Sequence, residues 1–136
     1  MSITEKLLSL DVAKYKEKAI DTLEIKRLSQ IVGEPFLVRI QEVDDERVQE
    51  LQAMMLDKKG RVDYTQTRKV NALLCTEGVT EPNLKDTKLQ KHFGANTPKE
   101  LAEILFKGAD LGKVADAIIK LNNFVDDSED EDDTKN

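Results

Sequence analysis

The side chains in this sequence best suited to chemistry are one histidine, one cysteine and several carboxylate clusters. His92 stands beside Phe93 in a short stretch of helical pattern. No nucleophile elbow or cysteine/histidine signature lies near it, so a surface or partly packed histidine is expected. Cys75 follows Ala72-Leu73-Leu74 on an amphipathic pattern. A reactive thiol needs accessible, electropositive surroundings, and Glu77 supplies the opposite charge. Cys75 is therefore expected to pack as a small hydrophobe. Gly108 and Gly112 flank a helix start but lack the Lys-Ser/Thr ending of a phosphate loop. Asp44-Asp45-Glu46 suits a helix N-terminus better than acid–base work. Asp126 to Asp133 lacks the glycine turn and spaced ligands of a calcium loop. No catalytic residue, cofactor or metal site is expected, and protein binding is the class left.

The elements that must position any binding surface are read from periodicity. Residues 22–28 alternate around Leu23 and Ile25, and residues 36–43 alternate around Phe36, Val38 and Ile40. Period two predicts two strands with one buried face, joined across the turn signal Gly33-Glu34-Pro35 as an antiparallel hairpin. After Asp44 the pattern is helical throughout. Helices are expected over 45–56, with Val48, Leu51 and Met55 and with Asp44 as cap, and over 65–76, with Val70, Leu73 and Leu74. A short helix from Asp86 carries Leu89 and Phe93 and closes at Gly94. Thr97-Pro98-Lys99-Glu100 has the form of a capping box and opens the next helix, with Leu101, Ile104 and Leu105. After Gly108, Asp110 is expected to cap a last helix bearing Leu111, Val114, Ala115, Ile118 and Leu121. The fold class is thus α+β, mostly helical: a small early antiparallel β-hairpin followed by about five helices.

Length and charge divide the chain. Its 136 residues suit one domain with a modest, mainly aliphatic core, since there is no tryptophan. Asp126 to Asp133 holds seven acidic residues; removing those and Lys135 from the 27 acidic and 21 basic residues leaves 20 of each. The net charge of -6 is therefore a property of the tail. The expected organisation is a mobile N-terminal arm over 1–21, a single α+β domain over 22–124 and a disordered acidic tail over 125–136. No basic stripe with interleaved aromatics points to nucleic acid. No run of 18 apolar residues could span a membrane, and the first ten residues do not form a secretory leader.

Two clusters of apolar residues are candidates for partner binding. Ile118 and Ile119 are adjacent, with Leu121 and Phe124 close behind, and neighbouring helical residues point about 100° apart, so one narrow stripe cannot hold all four. Met54 and Met55 raise the same question, because methionine surfaces adapt to varied partners.

The order of segments resembles the XkdN-like tail assembly chaperones of tailed phages and prophages. The matching stretches are Leu23-Glu24-Ile25-Lys26-Arg27-Leu28, Gly33-Glu34-Pro35-Phe36 with Val38-Arg39-Ile40, and Glu77 to Asp86. Within the last, Glu81-Pro82-Asn83-Leu84-Lys85-Asp86 is the most telling. Leu89 to Gly94, Thr97 to Leu101 and Ile118 to Phe124 complete a resemblance over residues 22–124. One departure is Gly108-Ala109-Asp110, where the family often has Gly-Glu. The resemblance implies no catalytic residues. It implies a non-enzymatic chaperone that coats the tape measure protein and keeps it soluble during tail assembly in the bacterial cytoplasm, and that is absent from the mature virion. The tail tube protein is a second candidate partner, and homo-oligomerisation is open. The alternative function is a structural tail completion or connector component.

Overall fold

A computed structural model describes residues 2–122. Two short helices, α1 (Ile3–Leu8) and α2 (Val12–Tyr15), precede strand β1 (Ile20–Glu24). Helix α3 (Lys26–Val32) leads to β2 (Leu37–Gln41), and α4 (Asp45–Ala53) follows. Helix α5 (Thr67–Gly78) runs directly into β3 (Val79–Glu81), and α6 (Thr87–Phe93), α7 (Pro98–Leu105) and α8 (Ala109–Asn122) complete the described part. The expected α+β class, early hairpin and five following helices are all present.

The hairpin is antiparallel, with Leu23 opposite Val38 and Asp21 opposite Ile40. Val38 and Ile40 point into the core with no more than 2% exposure, as the alternation requires. Two details differ from the sequence reading. The first strand ends at Glu24, and residues 26–32, taken as strand and loop, form α3. Ile25 is buried, but as the residue that opens α3 rather than as a strand position. Gly33, in the left-handed conformation at φ 81°, closes that helix instead of forming a simple turn. The second difference is β3, which pairs antiparallel with β2 and makes a three-stranded sheet in the order β1-β2-β3. Three residues between Gly78 and Pro82 are too few to show a period, so this strand was invisible to pattern reading.

Helix α5 is the centre of the core. It packs chiefly against α8 and α7 and touches α4 and β3. Its buried face is Val70, Leu74 and Cys75, with Ala72 also closed off from water. Helix α8 answers with Leu111, Val114, Ala115 and Ile118, a 3–4 spacing that puts all four on one side. Helix α7 starts as expected: the Thr97 hydroxyl accepts the Glu100 N–H at 3.1 Å. The Glu100 carboxylate reaches back to the Asn96 N–H at 2.9 Å, one residue before the cap.

Other boundaries moved by a few residues. Helix α4 ends at Ala53 rather than 56, and Asp44 makes no side-chain cap hydrogen bond. Beyond it, Leu56 and Val62 form an isolated antiparallel bridge around a turn at Gly60. The Asp57 carboxylate accepts the Lys59 and Arg61 N–H groups at 2.8 and 2.9 Å. Those bonds, the Arg61 one first, hold Asp57 below the usual carboxylate range. Helix α5 begins two residues later than expected, after a short 3-10 turn at Tyr64–Gln66.

Asp110 is not the cap of α8 but lies within its first turn. There its carboxylate takes the Arg27 Nε–H at 3.1 Å, while Arg27 Nη2 donates to the Leu105 carbonyl at 2.8 Å. One guanidinium thus ties α3 to the end of α7 and the start of α8. Arg47 plays a similar part between α4 and α5, where its hydrogen bond to Glu77 and a second to Glu50 raise its pKa.

Candidate partner-binding surface

His92 packs edge-on to Phe93, with ring centroids 5.3 Å apart. Among the described residues, no group of three or more histidine, cysteine or carboxylate side chains could hold a metal ion. The Glu81 to Asp86 stretch serves architecture. Leu84 is buried, its carbonyl accepts the Gln90 side-chain amide at 2.8 Å, and Asp86 caps α6 through the Lys88 and Leu89 N–H groups.

Cys75 is fully enclosed, and burial pushes its thiol up to about 12. The native thiol is therefore neutral and unreactive. Because the folded pKa is raised, the stabilisation from burying the neutral thiol is complete below pH 9.0 and declines as pH rises toward 12. Ellman's reagent at pH 8 should label the native chain at least tenfold more slowly than the urea-unfolded chain, by about the difference in thiolate and access. Equal rates would show that Cys75 is open to solvent.

The six apolar candidates separate. Ile118 has no exposure and belongs to the core. Ile119 and Leu121 are half-buried against that core, and so is Met55. Met54, which ends α4, is exposed. Phe124 and the acidic tail lie outside the described residues. Ile119 joins Asp45, Val48, Gln49 and Gln52 in lining a groove of about 230 Å³ between α8 and α4. The α4 residues 45, 48, 49 and 52 are one helical face, so the groove runs along that helix. At its end Asn122 donates through Nδ2 to the Val43 carbonyl and to Asp45, while its buried Oδ1 has no partner among the described residues.

The sequence reading missed other apolar surface. Leu56, Val62 and Tyr64 are exposed with Met54 around the bridged turn after α4. A larger groove of about 510 Å³ lies on the sheet, lined by Ile20, Asp21, Thr22, Arg39, Ile40 and Thr80. No helix among the described residues is long and apolar enough to cross a membrane.

Comparison with known proteins gives this surface a setting. No curated protein matches the chain. The crystal structure of the protein YqbN is similar, with a TM-score of 0.52 and 19% identity over 77% of this chain and 88% of that one. At that identity the likeness concerns the fold. The family model for the phage XkdN-like tail assembly chaperone protein matches residues 4–135. With nearly its whole length covered by that model, the chain belongs to the XkdN-like family of phage tail assembly chaperones.

Proposed function

We propose that this chain binds helical segments of a tape measure protein and keeps them from aggregating until the tail tube assembles around them. The observation that carries this reading is the family match over residues 4–135. A long helical protein with apolar stripes aggregates unless those stripes are covered. The α4–α8 groove supports the reading, because apolar Ile119 and Val48 line it together with polar Gln49 and Gln52, a mixture that suits a partner helix with one apolar edge. Ile119, Leu121 and Met54 make the contact, Met55 and the buried Ile118 support it from below, and Phe124 extends it. Each contact is modest, and many copies along one long partner supply the strength while still allowing release. The protein acts without turnover in the cytoplasm of the bacterial host and leaves before the virion matures. The tail tube protein is the second partner in this scheme.

Coexpression tests the reading. The tape measure protein should be soluble with this chain and aggregate without it, and Ile119→Asp with Met54→Asp should lower the soluble yield severalfold. Equal solubility in all cases, with no complex on sizing, would overturn the proposal. A complex that persists in mature particles would make the chain a structural tail component instead.

A further inference from the structure

We infer that in the free chain Phe124 turns back onto its own molecule and closes the α4–α8 groove, so that a partner entering the groove must first displace it. As control of a partner site this rests on the reading above; as a contact within one chain it does not.

The groove lies open where the described chain ends. Val48 is buried and Ile119 half-buried along its floor, and Gln49 and Gln52 are exposed beside them. Asn122 also lines the groove and is the last residue of α8. Beyond it Phe124 and Val125 are the only apolar residues, and everything from Asp126 onward is polar or charged. A residue advances the chain by at most ~3.6 Å, so the Phe124 backbone stays within about 7 Å of Asn122 on any path. A cavity of about 150 Å³ already admits benzene. The groove, at about 230 Å³, has room for a phenyl ring.

The residues after α8 suit a turn that sends the chain back. Helices commonly close with one residue in the left-handed conformation, usually glycine and sometimes asparagine, and the residue after it packs on the side chain five positions back. Helix α6 closes in this way. Gly94 has φ 74°, the Ala95 N–H donates to the Gln90 carbonyl at 2.8 Å, and Ala95 and Gln90 are both buried. In the same register at the end of α8, Asn123 takes the left-handed place, Phe124 follows, and the residue five positions back is Ile119.

Two further features agree. Asn122 Nδ2 donates to the Val43 carbonyl and to Asp45, but its buried Oδ1 has no partner among the described residues. An unpaired buried acceptor is costly, and a chain that turns back beside Asn122 brings backbone N–H groups to it. Charge acts in the same direction. Leaving straight from Asn122, the acid block that begins at Asp126 would start beside Asp44, Asp45 and Glu46, where Arg47 is already paired with Glu50 and Glu77. Reversal carries it along α4 toward Lys58 and Lys59, which make no ion pair among the described residues.

The sequence has no tryptophan, so Phe124→Trp in the full chain supplies a single fluorescent reporter. Its emission should lie to the blue of the urea-unfolded chain, and acrylamide should quench it severalfold less, from nanomolar to micromolar protein alike. Ile119→Asp in that background should abolish both effects. Gln49→Glu/Gln52→Glu, at exposed positions, repeats the test should the first variant fold poorly, and circular dichroism checks that each variant is folded. Asn123→Val should release the indole, because a branched side chain resists the left-handed conformation, whereas Asn123→Gly should keep it seated. None of these readouts involves the tape measure protein, so each reading can fail without the other. An indole as open as in urea, burial lost on dilution, or burial untouched by the folded groove variants would each overturn the proposal, the second by placing the ring in another copy.

Discussion

Replacing Phe106 with alanine is expected to cost about 3–5 kcal/mol of folding stability, the largest loss from any single truncation in this chain. Phe106 is the largest side chain with no exposure. It ends α7, its N–H donates to the Ala102 carbonyl at 2.9 Å, and the chain then turns through Gly108 into α8. It thus stands at the junction of two helices, and Leu105 before it and Asp110 after it are both tied to Arg27. Neighbours held that firmly cannot collapse into the space a phenyl ring leaves, so the cavity term is added to the lost transfer energy. A domain of this size has about 5–15 kcal/mol in all. Urea unfolding should show a lower midpoint with an unchanged slope. A loss below about 1 kcal/mol would mean that the α7–α8 junction repacks freely.

Gly78→Ala should cost about 1–3 kcal/mol for the opposite reason, overpacking. A methyl group there would meet Ile118 Cδ1 at 2.6 Å, Cγ2 at 2.7 Å and Cγ1 at 2.9 Å. Ile118 has no exposure and so nowhere to retreat. Ile118→Val alone should cost about 0.5–1.5 kcal/mol. In the Gly78→Ala background it removes the nearest of the three atoms, so the double variant should be at least about 0.5 kcal/mol more stable than the two losses added together. Strict additivity would show that α5 and α8 separate to admit the methyl group.

The Gly78 contact shows where sequence reading reaches and where it stops. Periodicity found the face of α8 on which Ile118 lies, because four buried residues repeat at helical spacing. It could not find that Gly78 must be small, since that depends on how closely two helices approach. Phe106 was missed for a related reason: it stands one residue past the end of α7, outside any repeat. The strand β3 was hidden by its length, and α3 by the alternation of Leu23 and Ile25, which continues past the true end of β1. Caps were legible where the side chain acts locally, as at Asp86 and Thr97. Asp110 also looked like a cap, but a partner 83 positions away in sequence claimed it. The candidate surface was half legible. Helical spacing put Ile118 on the core face, but it could not say how much of Ile119 stays open, and the structure leaves it half-buried. The residues flanking Met54 on the bridged turn carried no period at all.

The pairing of Arg27 with Asp110, and of Asn122 with Val43 across 79 positions, also bears on the order in which the protein is made. The hairpin leaves the ribosome early, but the helix that holds it in place is the last described element to appear. Until then β1 and β2 have an apolar face with no permanent neighbour, and α5 lacks the side of its core that α8 supplies. The fold closes only once α8 is present, because the distant contacts repay the cost of bringing their ends together only when both ends exist. A chain cut short anywhere within α8 should therefore be cleared by proteases rather than persist as a weaker version of the protein, so that the only copies to reach a partner are those translated through the last helix.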